Sequence, residues 1–568
     1  MRNEKKTEKI YILESKDMSK KQIWTIIEYI FLTLLTIAII PIDIFVISMP
    51  KWVTIVMAVI LLSAYFRMIF SVAKKKKGRI VVTAFFVLTI ALSIYGNFFN
   101  PYWNSLNFKK KPTSNKFTLD SKISSKKALS DLENAVSYLK KVHPLCKDGL
   151  PEDTETKYKN AKSFIKNSKT VTVVDLYRKI ENIYHTLGDS NTNIKFSNGN
   201  THYLKQMKKF KESGNELVKV NGKDIKEIME KSKELYSYEL EEWHKVLLIR
   251  DLYTLEGLKY NKIYPQTNKK KKENTYKYTF KLEDGTTKDY TYKVSDFITY
   301  DSYKMYNKLD KEKKANTSYK IDKEKSLAIL TINSCKFDDE YKNALRDMFT
   351  EIKENKIFNL AIDLRGNGGG DLAVIDEFMK YLYIDTWKAE TNVLRLGIVD
   401  IESNEKVITN ERYEGFDFDG EIFALVDVET RGAAMLYAEY IQDNKLGTLI
   451  GERPGNPANR YGEAVSYSLS NSKLSLKIST KAFTRVDYNN PSNFIDPDIS
   501  CAGSEVMDKL YDEVYVLQEL PSIEESGEST EGETVLDDNR ETESGTVETT
   551  SEKESSSEET TGEKESGE

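Results

Sequence analysis

Apolar positions along this chain fall into three regimes. Residues 23–49, 52–72 and 80–99 are almost unbroken apolar runs, each long enough to cross about 30 Å of hydrocarbon as a helix. Residues 128–520 mix short apolar stretches with helical and alternating patterns, and residues 521–568 have almost none. Within the middle regime, Leu129, Leu132, Ala135, Val136 and Leu139 share one stripe of a helix over 128–142. His143-Pro144 ends it, because a residue before proline avoids the helical region. Thr172 and Asp175 mark a helix start, with Val174, Tyr177, Ile180 and Tyr184 inward and a break at Leu187-Gly188-Asp189. Residues 216–228 read as a strand, an Asn221-Gly222 turn and a helix. Residues 276–294 alternate around Asp284-Gly285, a hairpin signal. Residues 327–332, 360–362, 422–426 and 446–451 are short buried strands, and Leu474, Leu476 and Ile478 alternate as another. Helices are expected over 341–353 and 371–382, and up to Asp443 after the 422–426 strand. Strands alternating with helices predict an α/β (α+β) domain with a largely parallel central sheet, preceded by three transmembrane helices.

Charge orients this arrangement. Arg2, Lys5, Lys6 and Lys9 precede the first run, and the basic cluster 74–79 separates the second from the third. Both are expected on the cytoplasmic side. Residues 1–22 are then a cytoplasmic N-terminus, 23–99 three spans, 100–127 a linker and 128–520 an extracytoplasmic domain. The expected location is the cell membrane, multi-pass, with the large domain outside. Residues 521–568 carry 17 acidic against three basic residues and are read as a disordered Ser/Thr/Glu-rich tail, since so few apolar groups cannot offset the entropy of ordering. The chain's net charge of −4 thus hides a positive balance before the tail. Cys146, Cys335 and Cys501 are odd in number and far apart. They suggest neither a disulfide framework nor a metal site; no metal, cofactor or nucleic acid is expected.

The stretch richest in chemistry is 359–370, NLAIDLRGNGGG. A buried strand runs into Gly366-Asn367-Gly368-Gly369-Gly370. A helix follows, with Leu372, Ile375, Phe378, Met379 and Leu382 on one face. Such a turn presents backbone N–H groups that can hold an anion or oxyanion.

DLRGNGGG resembles the signature of the C-terminal processing (tail-specific) serine peptidases, in particular their low-GC Gram-positive branch. Further landmarks appear in order: His143-Pro144, Leu187-Gly188-Asp189, Val220-Asn221-Gly222, Gln442-Asp443-Asn444 and Gly451-Glu452. The resemblance spans 128–499. It implies a peptidase fold, an oxyanion hole with donors at Gly368, Gly369 and Ala433, and a peptide or protein C-terminal tail as partner. It also implies a nucleophile at the start of the helix after the 422–426 strand. Aligned from Gln442-Asp443, that place is Gly432, which has no side chain. The histidine of relatives with a Gly-Asp-x-His-Thr segment is replaced by Asn191 in Gly188-Asp189-Ser190-Asn191-Thr192. An amide is no general base near neutral pH. The lysine of the other branch, expected after Gly451-Glu452, is absent from 453–460, and arginine holds its proton too tightly to substitute.

Thr430, Ser190 and His185 are the remaining candidates for an unorthodox nucleophile or base. The expectation is a membrane-anchored pseudopeptidase that binds peptide or protein tails. The rivals are an active peptidase using Thr430 or Ser190, and a structural or regulatory envelope protein.

Overall fold

The computed structural model describes residues 117–519, apart from 197–199, 269–271, 310–314, 397–398 and 404–406, together with 76–94 and scattered earlier residues. Most of the expected spans 23–49 and 52–72, and all of the tail 521–568, lie outside the described residues. Lys76–Ile94 is a 19-residue helix overlapping the third run. No helix among the described residues is long and apolar enough to cross a membrane.

The domain begins earlier than its hydrophobic stripe suggests. Lys122–Ser124 pairs antiparallel with Thr170–Thr172, and Leu119 and Ile123 are buried. The stretch read as linker to 127 therefore already contributes to the core. Helix α1 is Ser125–Val142; the Ser124 side chain accepts from Lys127 N at its start, and His143 is its extended C-cap. Helix α2 is Val173–His185, capped by Thr172 accepting from Asp175 N. Strand β1 (Glu216–Val220), helix α3 (Glu241–Leu252) and the β2–β3 hairpin (Glu273–Lys281, Thr287–Lys293) follow. β1 and β3 flank β2, both antiparallel to it. Their apolar faces share one core with α1 and α2, including Leu132, Leu139, Tyr184, Val220, Tyr278 and Phe280.

The second half is a six-stranded sheet. β4 (Thr317–Asp322) runs antiparallel to β5 (Leu327–Ile332). β5, β6 (Asn359–Asp363), β7 (Glu421–Val426), β8 (Thr448–Gly451) and β9 (Ile499–Ser500) follow in that spatial order, each parallel to the last. Alternation along the strands sends successive residues to opposite faces. Leu360 and Ile362 meet helices α4 (Asp339–Asn355), α5 (Ala373–Met379) and α6 (Ala433–Asp443) on one side. Ala361, with Leu327, Phe423, Leu425 and Ile450, packs under Val506, Leu510 and Val514 of helix α7 (Val506–Glu519) on the other. The core is therefore a three-layer α/β sandwich. Each fully buried Leu or Ile contributes about 1.5–3 kcal/mol.

Two sequence expectations change. α5 spans seven residues rather than 371–382. Asp371 N donates to Cys335 O at 2.7 Å, which holds the chain beside β5, and the Asp371 side chain accepts from Ala373 N only afterwards. Leu372 precedes the helix and is exposed, while Ile375, Phe378, Met379 and Leu382 are buried as expected. In addition, Thr386–Lys388, Thr391–Leu396, Val399–Ser403 and Val407–Thr409 are strands where no element was assigned. Thr391–Leu396 pairs with Lys481–Thr484, nearly a hundred residues on, a register that no local pattern encodes.

Candidate active site

The site is assembled where β6 and β7 end side by side. Leu364 N donates to Leu425 O at 2.9 Å, extending the parallel pairing one residue beyond the strands. The Gly366–Gly370 turn then faces the start of α6. Arg431 N donates to Asn367 O at 2.9 Å. Gly432 is the N-cap of α6, with φ 57° and ψ −127°. That backbone is the strained strand-to-helix elbow on which hydrolases mount a nucleophile. A Cβ at Gly432 would meet Gly368 O at 3.3 Å and Gly369 Cα at 3.6 Å. Gly432, the position at which a nucleophile was expected, thus sits at the head of α6 beside the glycine turn, where a Cβ would press on Gly368 O.

The glycine turn is held by two side chains that the sequence reading did not single out. Asn367 is fully buried; its Nδ2 donates to Ile332 O at 2.8 Å and its Oδ1 accepts from Gly369 N at 2.9 Å. Asp427, at the end of β7, accepts from Gly366 N, Glu429 N and Thr430 N at 2.9–3.0 Å. Burial raises its carboxyl pKa above the ordinary range, against these bonds. Of the expected oxyanion donors, Gly369 is thus already engaged by Asn367. Gly368 lines the cavity described below, and Ala433 is the first residue of α6. Ala433 N lies 2.8 Å from where a Gly369 Cβ would stand, a close approach that, with φ +98°, requires glycine there.

A cavity of about 580 Å³ opens at this point, with Ser190, Asn191, Gly366, Gly368, Arg431 and Gly432 among its lining residues. The structure therefore brings the expected base and nucleophile positions to one space. Asn191 Nδ2 donates to Tyr461 O at 2.9 Å, and its backbone N donates to Asp189 Oδ1. Asp189 is itself buried against His143 Nε2 at 3.1 Å. Burial pushes its pKa up, but hydrogen bonds from His143, Thr192 and Ser479 prevail and hold it below the usual carboxylate range. His143 is thus a strut behind the segment.

The weaker candidates separate cleanly. Thr430 is fully buried; its hydroxyl donates to Leu364 O at 3.0 Å and accepts from Asp427 N at 2.9 Å, and it does not line the cavity. His185 Nδ1 lies 2.8 Å from Tyr236 O, and its ring packs on Tyr238. Ser190 does reach the cavity. Its hydroxyl donates to Glu239 Oε1 at 3.0 Å and accepts from the Arg431 guanidinium. Burial pushes the Glu239 carboxyl up to about 7, against the pull of Arg431. Burial likewise pulls Arg431 down to about 10, with Glu239 opposing. Arg431 also stacks on Trp243, 3.8 Å from the ring centroid. This Arg431–Ser190–Glu239 group links the residue before Gly432 to the residue before Asn191. Behind the elbow, in the stretch searched for a lysine, buried Asn456 accepts from Gly432 N at 3.1 Å. Sequence signals for these residues are weak, because each partner pair is separated by tens to hundreds of positions.

Catalysis by the family's route needs a hydroxyl, a base and donors. Position 432 carries no hydroxyl, Asn191 carries an amide, and of the three expected donors Gly369 N is taken up by Asn367. Among the described residues, no group of three His, Cys, Asp or Glu side chains is arranged to hold a metal ion.

Residues 326–501 match the model of peptidase family S41. No curated protein matches the chain. Among solved structures, mature CPAF is similar at 12% identity, covering 70% of this chain and 97% of its own, with a TM-score of 0.49. A photosystem II D1 C-terminal processing protease is similar at 12% identity over 69% of this chain and 97% of its own, with a TM-score of 0.40. A putative peptidase from Parabacteroides merdae gives 13% identity, 70% and 97% coverage and 0.40.

Proposed function

Taking residues 326–501 as a C-terminal processing peptidase segment of family S41, we propose that this protein is a membrane-anchored, extracytoplasmic pseudopeptidase that binds peptide or protein C-terminal tails without cutting them. The observation that carries the reading is Gly432: the elbow keeps φ 57° and ψ −127° and its place at the head of α6, yet offers no attacking atom. Donors need no nucleophile beside them. Backbone N–H groups at Gly368 and Ala433 would suit a carbonyl or terminal carboxylate, and Arg431 lines the same cavity as Gly368. The membrane anchor rests on the three apolar runs and the 74–79 basic cluster.

The test is binding against turnover. Full-length protein in detergent is offered a library of labelled peptides with free carboxyl ends. Saturable binding with intact peptide recovered after long incubation is expected. Hydrolysis by the unaltered protein would overturn the reading.

One observation favours a second reading. Ser190 donates to Glu239 at 3.0 Å, and burial pushes the Glu239 carboxyl up to about 7, a direction suited to a general base. A peptidase using Ser190 would lose its hydrolysis on Ser190→Ala, and the pseudopeptidase has none to lose.

A further inference from the structure

Lysines crowd one end of the domain. Lys126 and Lys127 sit in the first turn of α1, directly after Ser125, and no acid shares that turn. Ser125 Oγ donates to Ile165 O at 2.6 Å, and Ser125 N donates to Lys169 O at 3.3 Å. These bonds bring in Lys169 and Lys166, the last residue of the helix Glu152–Lys166. Lys122 arrives on the strand paired with Thr170–Thr172, opposite Thr172. All five lysines are exposed. The acids of the same elements are committed elsewhere. Asp120 pairs with Lys259, Glu133 with Lys162 and Asp175 with Arg178. Buried Asp131 accepts from Asn471 and Ser472. Glu152, Asp153 and Glu155 stand in the opposite, first turn of their helix. Among the described residues, the five lysines therefore have no ion-pair partner.

Two lysines in a first turn oppose the helix dipole, which favours acids there. The other three add like charge beside them. Local rules broken in this way are expected where function asks for it. The route of the chain indicates what could meet this charge. The described domain begins at Phe117, five residues before Lys122. Residues 100–116, which join it to the third apolar run, carry four lysines and no acid. Even fully extended, the roughly 18 residue steps from 99 to 117 span no more than about 65 Å. The lysine end is thus the part of the domain closest along the chain to the proposed membrane. Anionic phospholipid attracts basic residues within about a Debye length. A tether makes such a contact intramolecular, so weak attraction suffices.

We infer that this lysine end, Lys122, Lys126, Lys127, Lys166 and Lys169, is a contact face for the anionic phospholipid surface of the membrane that holds residues 23–99. The contact presupposes the membrane anchor of the proposed function and goes beyond it by fixing which end of the domain faces the lipid. Headgroup phosphates supply the counter-charge that the protein does not.

The experiment uses the full chain in lipid nanodiscs of phosphatidylcholine alone or with about one third phosphatidylglycerol. Acetylation rates of individual lysines are read by mass spectrometry. The five lysines are expected to react about threefold or more slowly in the anionic discs, and about 0.5 M salt should restore their rates. Exposed Lys323, after β4, and Lys445, after α6, should react alike in both discs. With Lys122→Gln, Lys126→Gln and Lys127→Gln combined, the protection of Lys166 and Lys169 should fall by roughly half or more. Equal rates for the five lysines in both discs overturn the contact, and a chain retained in the discs leaves the anchor intact. Undiminished protection in the triple variant also overturns it, as does equal slowing of Lys323 and Lys445. So does protection by soluble polyphosphate in detergent with none from anionic discs. A chain that does not enter discs removes the anchor. Anionic vesicles of the same composition are then added to the lipid-free chain; protection of the five lysines sustains the face and its absence overturns it. Should the triple variant not fold, the salt dependence of the unaltered chain decides.

Discussion

Replacing Gly432 by alanine isolates the elbow from everything else in the site. The backbone there, φ 57° and ψ −127°, is a conformation that costs a residue with a side chain of order 1–3 kcal/mol. Sterics add little: the new Cβ would sit 3.3 Å from Gly368 O and 3.6 Å from Gly369 Cα, so the neighbours shift by a few tenths of an ångström. The total is about 1–3 kcal/mol. For a folded part of roughly 400 residues, unfolding entropy near 2.1 cal/mol/K per residue converts this to a Tm drop of about 1–4 °C. Gly369→Ala is the control. Its Cβ would fall 2.8 Å from both Ala433 N and Arg431 O, backbone atoms that cannot swing aside, and the change should cost more than 3 kcal/mol. Gly366→Ala, at φ +71° with nothing within 4 Å, should cost only the left-handed penalty, about 1–2 kcal/mol. Calorimetric melting of the three variants should therefore rank Gly369→Ala as far the worst. If Gly432→Ala unfolds the protein as severely as Gly369→Ala does, the elbow has no room for a side chain, and the reading of Gly432 as a vacated nucleophile position fails.

Other outcomes follow from the same structure. Gly432→Ser together with Asn191→His is the minimum change that should produce measurable peptide hydrolysis, and neither single change should. Hydrolysis by Gly432→Ser alone would mean that another group, Glu239 foremost, serves as base. Glu181 binds its proton more tightly folded, near 8, than at its ordinary value of 4.5. The native state therefore holds more protons than the unfolded state between these values, and the stability contributed below pH 4.5 is lost as pH rises through 8. Thermal melts should show the unaltered protein losing Tm relative to Glu181→Gln from pH 5 to pH 8; the opposite slope would contradict the burial argument. Protease added to intact, wall-free cells should remove the domain after residue 100. Protection until lysis would reverse the proposed topology.

The strand, glycine turn and helix around Asn359–Asp363 were legible because they are local. Three apolar residues in a row, three glycines in a row and a helical stripe are contiguous in the chain. Gly432 and Asn191 were singled out by their distance from landmarks rather than by any property of their own, and the two line one cavity. What escaped was the web between them. Nothing near Ser190 says that it meets Arg431, 241 residues on, or that Asn456 takes up the Gly432 amide, 24 residues back. Such contacts are set by how α6, the Gly188–Thr192 segment and α3 converge, and polar residues that look interchangeable in sequence acquire distinct roles only there. The short α5 had a readable cause that was missed. Asp371 is a good capping residue, and its side chain accepts from Ala373 N, so the helix begins after it.

The elbow also bears on how such a protein changes over generations. Its supports are Arg431 N on Asn367 O, Gly366 N on Asp427, Thr430 Oγ1 on Leu364 O and Gly432 N on Asn456. None of them uses a side chain at residue 432. Two of the glycine codons lie one nucleotide from a serine codon. Passing from serine to glycine at this position relieves a strained backbone, and the return passage restores the strain. The two directions therefore differ in free energy by about 1–3 kcal/mol before any selection on activity. Drift across this single site runs toward glycine like a ratchet, and only a need for chemistry would drive it back.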